Sequence, residues 1–451
     1  MQPTHGIVTD TSIDYLKNGG FSSVSVDTSR LVNAGDFIDL ALAHKLTQLW
    51  VMPGTELSNR LGDAGDTFVT DALPAYDLFP QELSPYLHGW KTIAHGDAVD
   101  LCLPEYIEQF RPLLGAKTSR DLYTTLYYIQ HALGTPLKWT AGRTGVEIVK
   151  ATNKTPERIS FIRPCKSDLT PFYEHAASDL TWSRPLGAGE DAMGYMQVID
   201  RNAMYLAPMS GLLVGAGECV HVNRPAFNKK RPGLWHITLS GLSQFNGVDL
   251  PHPTNGEPDS WQDTPMVQCC LECGYQVEVI EAYVFSEAHT TFTPFYERFR
   301  DARQALMMDT SSYKNDLART IALDQVKRIY TRFTGLLGYH PADGEAQRWY
   351  YRPDWRNAVV SEAKHRMFLT IKSFCESNPH LVAVYVDGLY LVSRSEDVNL
   401  TGIELSQQLG KYKRDATYPL DDVKHLLTDQ PYTLVAGLAD LERLWEAKSN
   451  A

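Results

Sequence analysis

Two aspartates stand where apolar strands should end. Asp200 follows Tyr-Met-Gln-Val-Ile, and Asp387 follows Leu-Val-Ala-Val-Tyr-Val. Each leaves a buried run at a turn, where a short acid can either cap the turn or reach a metal ion. A lone aspartate in such a place is ordinarily a turn cap. Two brought together would hold hard divalent cations through oxygen, and a pair of such ions about 4 Å apart activates a hydroxyl for attack and neutralises a phosphate leaving group. The chemistry in view is therefore transfer of a phosphate-bearing group.

The elements that must position these acids can be read from apolar periodicity. Residues 195–199 form a strand ending in Asp200. Residues 234–239 and 277–285 read as further strands, and 266–273 as a short helix. From 295 to about 337 the pattern predicts one long helical stretch, and 355–376 predicts a helix leading into the strand 382–386. Residues 389–392 return from that strand after Asp387-Gly388. The first third is mixed as well. Residues 21–27 alternate like a strand, 40–46 are helical, and 47–52 are apolar enough for a buried strand. Residues 122–133 make a helix that Gly134-Thr-Pro136 stops. Thr152–Ser160 is polar, so a domain boundary is expected near 150–190.

Composition narrows the classes. The chain of 451 residues has 43% hydrophobic and 21% charged residues, an ordinary globular balance with ample material for a core. No apolar run reaches the ~20 residues of a membrane span, and the start has no basic segment followed by an apolar one. Seven cysteines, odd in number and mostly unpaired in spacing, predict reduced thiols rather than a disulfide framework. The net charge of −12 is uneven: residues 1–110 carry 5 Lys+Arg against 15 Asp+Glu, the rest 37 against 39. Local basic stretches at 229–231 and 411–414 keep a nucleic-acid partner open.

The residues flanking the two acids carry a resemblance. Asp200-Arg-Asn-Ala-Met204-Tyr205-Leu-Ala resembles motif A of the family B DNA polymerases, and Lys327-Arg-Ile-Tyr-Thr-Arg332-Phe-Thr-Gly335 resembles motif B. Ala383-Val-Tyr-Val-Asp387-Gly resembles motif C, and the segment from Leu409 to Thr433 resembles the one ending in the family's KxY motif. The order is the family's, and the likeness runs from about residue 195 to 434. The stretches between, including Lys230–Leu239 and Thr264–Phe299, are similar to the protein-primed branch that copies linear phage and plasmid DNA.

That resemblance implies an α/β (α+β) fold with the palm, fingers and small thumb of a right-hand polymerase, behind a degenerate RNase-H-like exonuclease domain. Residues 1–150 would be the exonuclease-like domain, 151–194 a connector, 195–300 palm, 301–340 fingers, 341–400 the second part of the palm, and 401–451 a reduced thumb. Asp200 and Asp387 would be the catalytic acids holding two Mg²⁺ or Mn²⁺ ions. Lys327, Tyr205, Met204 and Arg319 would bind the nucleotide, with Tyr205 stacked beneath the sugar. Tyr432, Lys411, Lys413 and Arg332 would grip nucleic acid. Expected partners are primer–template DNA, deoxynucleoside triphosphates and a terminal priming protein, with no membrane, in a bacterial host cytosol.

The departures from the family's pattern shape the expectation. Motif C keeps one acid of two, and Asp387 fits the second, catalytic position better because Gly388-Leu-Tyr-Leu-Val then reproduces the returning strand. Motif B has Thr331, Arg332 and Thr334 at altered positions, and Gln430 replaces the KxY lysine. The strand around Val24–Ser29 looks like the first exonuclease strand with only Asp27 of its acid pair, so proofreading is expected to be lost. Cys269, Cys270 and Cys273 read as a buried helix face rather than a zinc site, and Gly215-Ala-Gly217 as a turn. Two alternatives to a polymerase remain open: an inactive relative that binds DNA ends or a terminal protein, and a template-independent nucleotidyltransferase.

Overall fold

The computed structural model describes residues 5–17, 20–32, 34–64, 89–94, 97–138, 140–155, 163, 165–241, 251–341, 348–377, 380–396, 403–428, 430 and 433–440. The chain divides into two compact units, residues 1–155 with 297–336, and residues 156–296 with 337–451.

The first unit is built on a mixed sheet. Its elements are β1 (His5–Val8), β2 (Ser12–Lys17), β3 (Gly20–Ser25), α1 (Ala34–Ala43), β4 (Gln48–Val51), α2 (Glu56–Ala64), β5 (Gly89–Ala94), β6 (Asp97–Cys102), α3 (Ser119–Leu133) and α4 (Ala141–Thr152). The strand order is β3-β2-β1-β4-β6-β5. β1, β2 and β3 form an antiparallel meander, while β4 lies parallel to β1 and β6 parallel to β4. β4 is buried along its whole length, as a parallel strand covered on both faces must be. Val8, Ile13, Phe37, Leu49, Val51, Leu57 and Leu101 join in one core. The α3 boundaries follow local chemistry: Thr118 and Asp121 form a reciprocal capping box, and Gly134 ends the helix at φ 61°.

The strand expected to bear the exonuclease acid is β3, the outermost in this sheet. Asp27 lies beyond it on an exposed turn, bonded to Ser29 at 2.5 Å and Arg30 at 3.1 Å. The central position belongs to β1, and the acid just past its end is Asp10. Period-2 alternation marks a strand but does not distinguish an edge strand from a central one.

The second unit contains β7 (Thr181–Ser183), β8 (Tyr195–Arg201), β9 (Val214–Asn223), β10 (Gly233–Ser240), β11 (Asp259–Asp263), α5 (Thr264–Glu272) and β12 (Gln276–His289). The helices α6 (Thr293–Met308) and α7 (Asp316–Leu337) follow and lie mostly in the first unit. The second unit then resumes with α8 (Pro353–Ser377), β13 (Leu381–Tyr385), β14 (Gly388–Ser393) and β15 (Tyr412–Pro419). The single helical stretch expected over 295–337 is thus two helices. The break lies at Asp309, whose carboxylate accepts the Ser312 N–H at 3.0 Å and the Ser311 hydroxyl at 2.6 Å, a side-chain turn that competes with continued helix. Asn315 then caps α7 by accepting the Ala318 N–H at 3.0 Å.

Two antiparallel sheets organise the second unit, β15-β8-β14-β13-β7 and β11-β10-β12-β9. Residues 181–183, within the segment read as a connector, supply the edge strand β7 of the first of them. Alternation along β8 and β14 sends Ile199, Leu389 and Leu391 to one face, against Met367, Phe368 and Ile371 of α8 and Met266 of α5. Met196, Val198, Tyr390 and Val392 point to the other face, against Tyr418, Leu420 and Leu434. With both faces covered, a one-residue slip of β8 would exchange its two apolar sets, so the register of this strand is firmly held.

Candidate functional site

Asp200 sits near the end of β8, between β14 and β15. In register it faces Gly388 on β14 and Lys413 on β15. Asp387 occupies the two-residue loop Val386-Asp387 that turns β13 into β14, just before Gly388. The Arg201 N–H donates to the Asp387 carbonyl at 3.0 Å, tying that loop to the end of β8. The two acids expected from sequence therefore lie at the same end of one sheet, Asp200 on β8 and Asp387 in the loop that leads into the neighbouring strand β14. Val386 takes φ 55°, left-handed backbone that a β-branched residue adopts at a cost of roughly 1–3 kcal/mol. Its N–H donates to the Leu180 carbonyl at 2.8 Å, which helps hold it there.

The Lys413 ammonium bonds Asp200 at 3.1 Å and Asp415 at 2.7 Å. Burial works against its charge, but the bonds to Asp415 and Asp200 outweigh it and the pKa rises. Lys411 pairs instead with Glu404. Asn202 stitches the turn after β8 to the loop before β15. Its side-chain amide donates to the Ser406 carbonyl, and its backbone N–H to that of Lys411, both at 2.8 Å. Met204 is buried in that turn.

Tyr205 is partly buried, and its hydroxyl donates to Asp179. Burial and then the Asp179 carboxylate push its phenol well above the ordinary value, with Asp387 adding to the effect. The Tyr390 phenol is raised likewise, by burial and by the charges of Asp387 and Asp200. Asp179 carried no motif and was not expected. Lys364 was also missed: it is 4% exposed, its pKa is lowered by burial, and Asp179 is the leading charge that opposes the loss. Asp263, at the end of β11, is fully enclosed, and burial pushes it to about 7 despite the Ser361 hydroxyl donating at 3.1 Å. Lys364 and Asp263 line a cavity of about 350 Å³ together with His175, His236 and Trp261.

The remaining expected residues are distributed elsewhere. Lys327, Arg319 and Arg332 stand on the part of α7 that belongs to the first unit. Lys327 is exposed, whereas Arg319 pairs with Asp316 at 2.7 Å and Arg332 pairs with Glu108. Tyr432 lies outside the described residues. Among those described, no group of three or more His, Cys, Asp or Glu side chains is arranged to hold a metal ion. The cysteines of α5 are a helix face with a thiol bond. Cys269 and Cys270 are buried, and Cys273, just past the helix, has its thiol lowered by a hydrogen bond from Cys269.

No protein-family model matches the chain, and no curated protein matches it. Solved structures do. Phi29 DNA polymerase complexed with primer–template DNA is 12% identical with a TM-score of 0.52, covering 92% of this chain and 85% of that one. Its ternary complex with primer–template DNA and incoming nucleotide is 14% identical with a TM-score of 0.52, covering 93% and 85%. Its orthorhombic crystal form is 13% identical at 0.51. The chain shares the fold of phi29 DNA polymerase. At this identity the likeness is one of fold alone. Among the described residues, no helix is long and apolar enough to cross a membrane.

Proposed function

We propose that the chain is a metal-dependent DNA polymerase without 3′–5′ proofreading, acting in protein-primed copying of linear DNA. The observation that carries the reading is the pairing of Asp200 and Asp387 at one end of one sheet, in a phi29-like fold. Their four oxygens are hard donors suited to Mg²⁺ or Mn²⁺, and two such ions would supply hydroxyl activation and neutralisation of the leaving pyrophosphate. Tyr205, on the turn after Asp200, takes the place under the sugar. Lys327 and Arg319 would meet the triphosphate, Met204 would support the nucleotide pocket, and Lys411, Lys413, Arg332 and Tyr432 would contact nucleic acid. The partners are primer–template DNA, deoxynucleoside triphosphates and a terminal protein, in the cytosol of a bacterial host. Residues 1–150 would be the exonuclease remnant, with palm, fingers and thumb as the motif order implies. The loss of proofreading is supported by Asp10, the acid past the central strand β1, whose carboxylate is engaged with the Glu56 and Leu57 N–H groups at the start of α2.

One observation favours a second reading, a catalytically silent relative that holds DNA ends or a terminal protein. The Lys413 ammonium already occupies a carboxylate oxygen of Asp200. Labelled-nucleotide incorporation with Mg²⁺ or Mn²⁺, on primed template and with no nucleic acid, separates the readings. Incorporation on template that Asp200→Ala and Asp387→Ala each abolish supports the polymerase. Inert wild type that still binds DNA supports the silent relative. Incorporation without template indicates a template-independent transferase.

A further inference from the structure

We propose that Asp179 is the positioning residue that holds the Tyr205 ring in place and thereby sets discrimination between deoxyribose and ribose. The proposal rests on the polymerase reading for the role of Tyr205 and adds a determinant that no motif contains. A tyrosine side chain can turn about two torsions, so a ring that excludes a 2′-hydroxyl by its bulk must be fixed by something besides its backbone. Here the Tyr205 hydroxyl donates to the Asp179 carboxylate, a charge-assisted bond stronger than one between neutral groups.

Asp179 is itself held on both sides. Upstream, the Ala177 N–H donates to Asn357 at 3.1 Å, and the Ala177 carbonyl accepts from the Arg356 guanidinium at 2.7 Å. Downstream, the Leu180 carbonyl accepts the Val386 N–H. The segment bearing Asp179 is thus bonded directly to the loop bearing Asp387, and Tyr205 is referenced to the same loop as the catalytic acid.

The test measures kcat/KM for a deoxynucleotide and its ribonucleotide on primed template, in wild type, Asp179→Ala, Asp179→Asn, Tyr205→Phe and the Asp179→Ala/Tyr205→Phe double variant. Asp179→Ala is expected to lower the preference for deoxynucleotide about tenfold through better ribonucleotide use. Asp179→Asn, which keeps an acceptor, should fall between. Tyr205→Phe should match Asp179→Ala, and the double variant should be no worse than either, because both remove one bond. Unchanged preference in Asp179→Ala, or additive losses in the double variant, overturns the proposal.

A readout independent of catalysis follows the phenol itself. The ultraviolet difference spectrum of wild type minus Tyr205→Phe at neutral pH isolates the Tyr205 band, and Asp179→Ala should move that band to shorter wavelength, because a phenol that donates to a carboxylate absorbs at longer wavelength than one that does not. An unaltered band overturns the tether whatever the activity. A protein that incorporates neither nucleotide overturns the polymerase reading, and with it the sugar role, while the difference spectrum still decides whether Asp179 holds the ring.

Discussion

Two sheets in this chain carry acids at their strand ends, and they use them differently. In the first unit, Asp10 follows the central strand, and its carboxylate accepts the Leu57 N–H at 2.8 Å and the Glu56 N–H at 3.2 Å, capping α2. Glu105 accepts from Ser58 at 2.8 Å and Gly54 at 3.1 Å, and Glu108 pairs with Arg328 at 2.8 Å and with Arg332. Each acid there completes a helix start, a turn or an ion pair. In the second unit, Asp200 near the end of β8 and Asp387 in the loop before β14 stand at one end of a sheet, and Asp200 pairs with Lys413 of the next strand. An acid engaged with backbone N–H groups is a structural part. An acid paired with a lysine side chain can exchange that partner for another cation.

That contrast can be broken by exchange of roles. Asp200→Asn and Asp387→Asn are each expected to lower templated incorporation by roughly a thousandfold, while melting temperature moves little. Asp10→Asn should leave incorporation within about twofold. A comparable activity loss from Asp10→Asn would mean that the first unit holds a working site too.

The ion pairs sharpen the contrast energetically. Arg352 and Asp354 pair at 2.6 Å with side chains 4% and 3% exposed, and Arg352 also donates to the Gly215 carbonyl at 2.7 Å. Asp354→Ala strands a buried guanidinium and should cost about 3–5 kcal/mol in denaturant unfolding. Next in size, Asp10→Ala removes the α2 cap and should cost about 1 kcal/mol, read as a lowered melting temperature of the first unit. Smallest is Glu108→Gln, since the Glu108 side chain is 59% exposed. Its loss should be a few tenths of a kcal/mol, diminishing as salt is added.

The Glu108 pair also has a pH signature. The Arg328 hydrogen bond, followed by the nearby charges of Arg332 and Arg328, overcomes slight burial and holds the carboxyl below its ordinary value. A depressed carboxyl contributes stability above its unfolded pKa and loses it as pH falls through the folded one. The difference between wild type and Glu108→Gln should therefore shrink on acidification below the usual glutamate range and be flat near neutrality. A difference that grows on acidification would contradict the pairing.

Local chemistry made much of the framework legible. The helix expected at 122–133 lies within α3 because Thr118, Asp121 and Gly134 mark its ends in sequence. The expected strands at 47–52, 195–199 and 277–285 correspond to β4, β8 and β12, since burial on one or both faces leaves a regular pattern. The pattern failed where neighbours competed with it. Asp309 and its serines split the helix expected over 295–337, and Asp27 was read onto a strand whose edge position only pairing reveals.

The sequence by itself determined the two acids, the apolar runs that deliver them, and the order of the segments around them, because each depends on neighbours a few residues away. Tertiary structure alone decided that Asp200 faces Gly388 and Lys413, that Asp179 receives the Tyr205 hydroxyl, and that Lys364 is buried near it. The relations of Asp200 and Asp179 join strands and loops far apart in the chain, and the burial of Lys364 depends on what packs over its helix. They arise from hydrogen-bond register and tertiary burial, neither of which leaves a local mark in the order of residues.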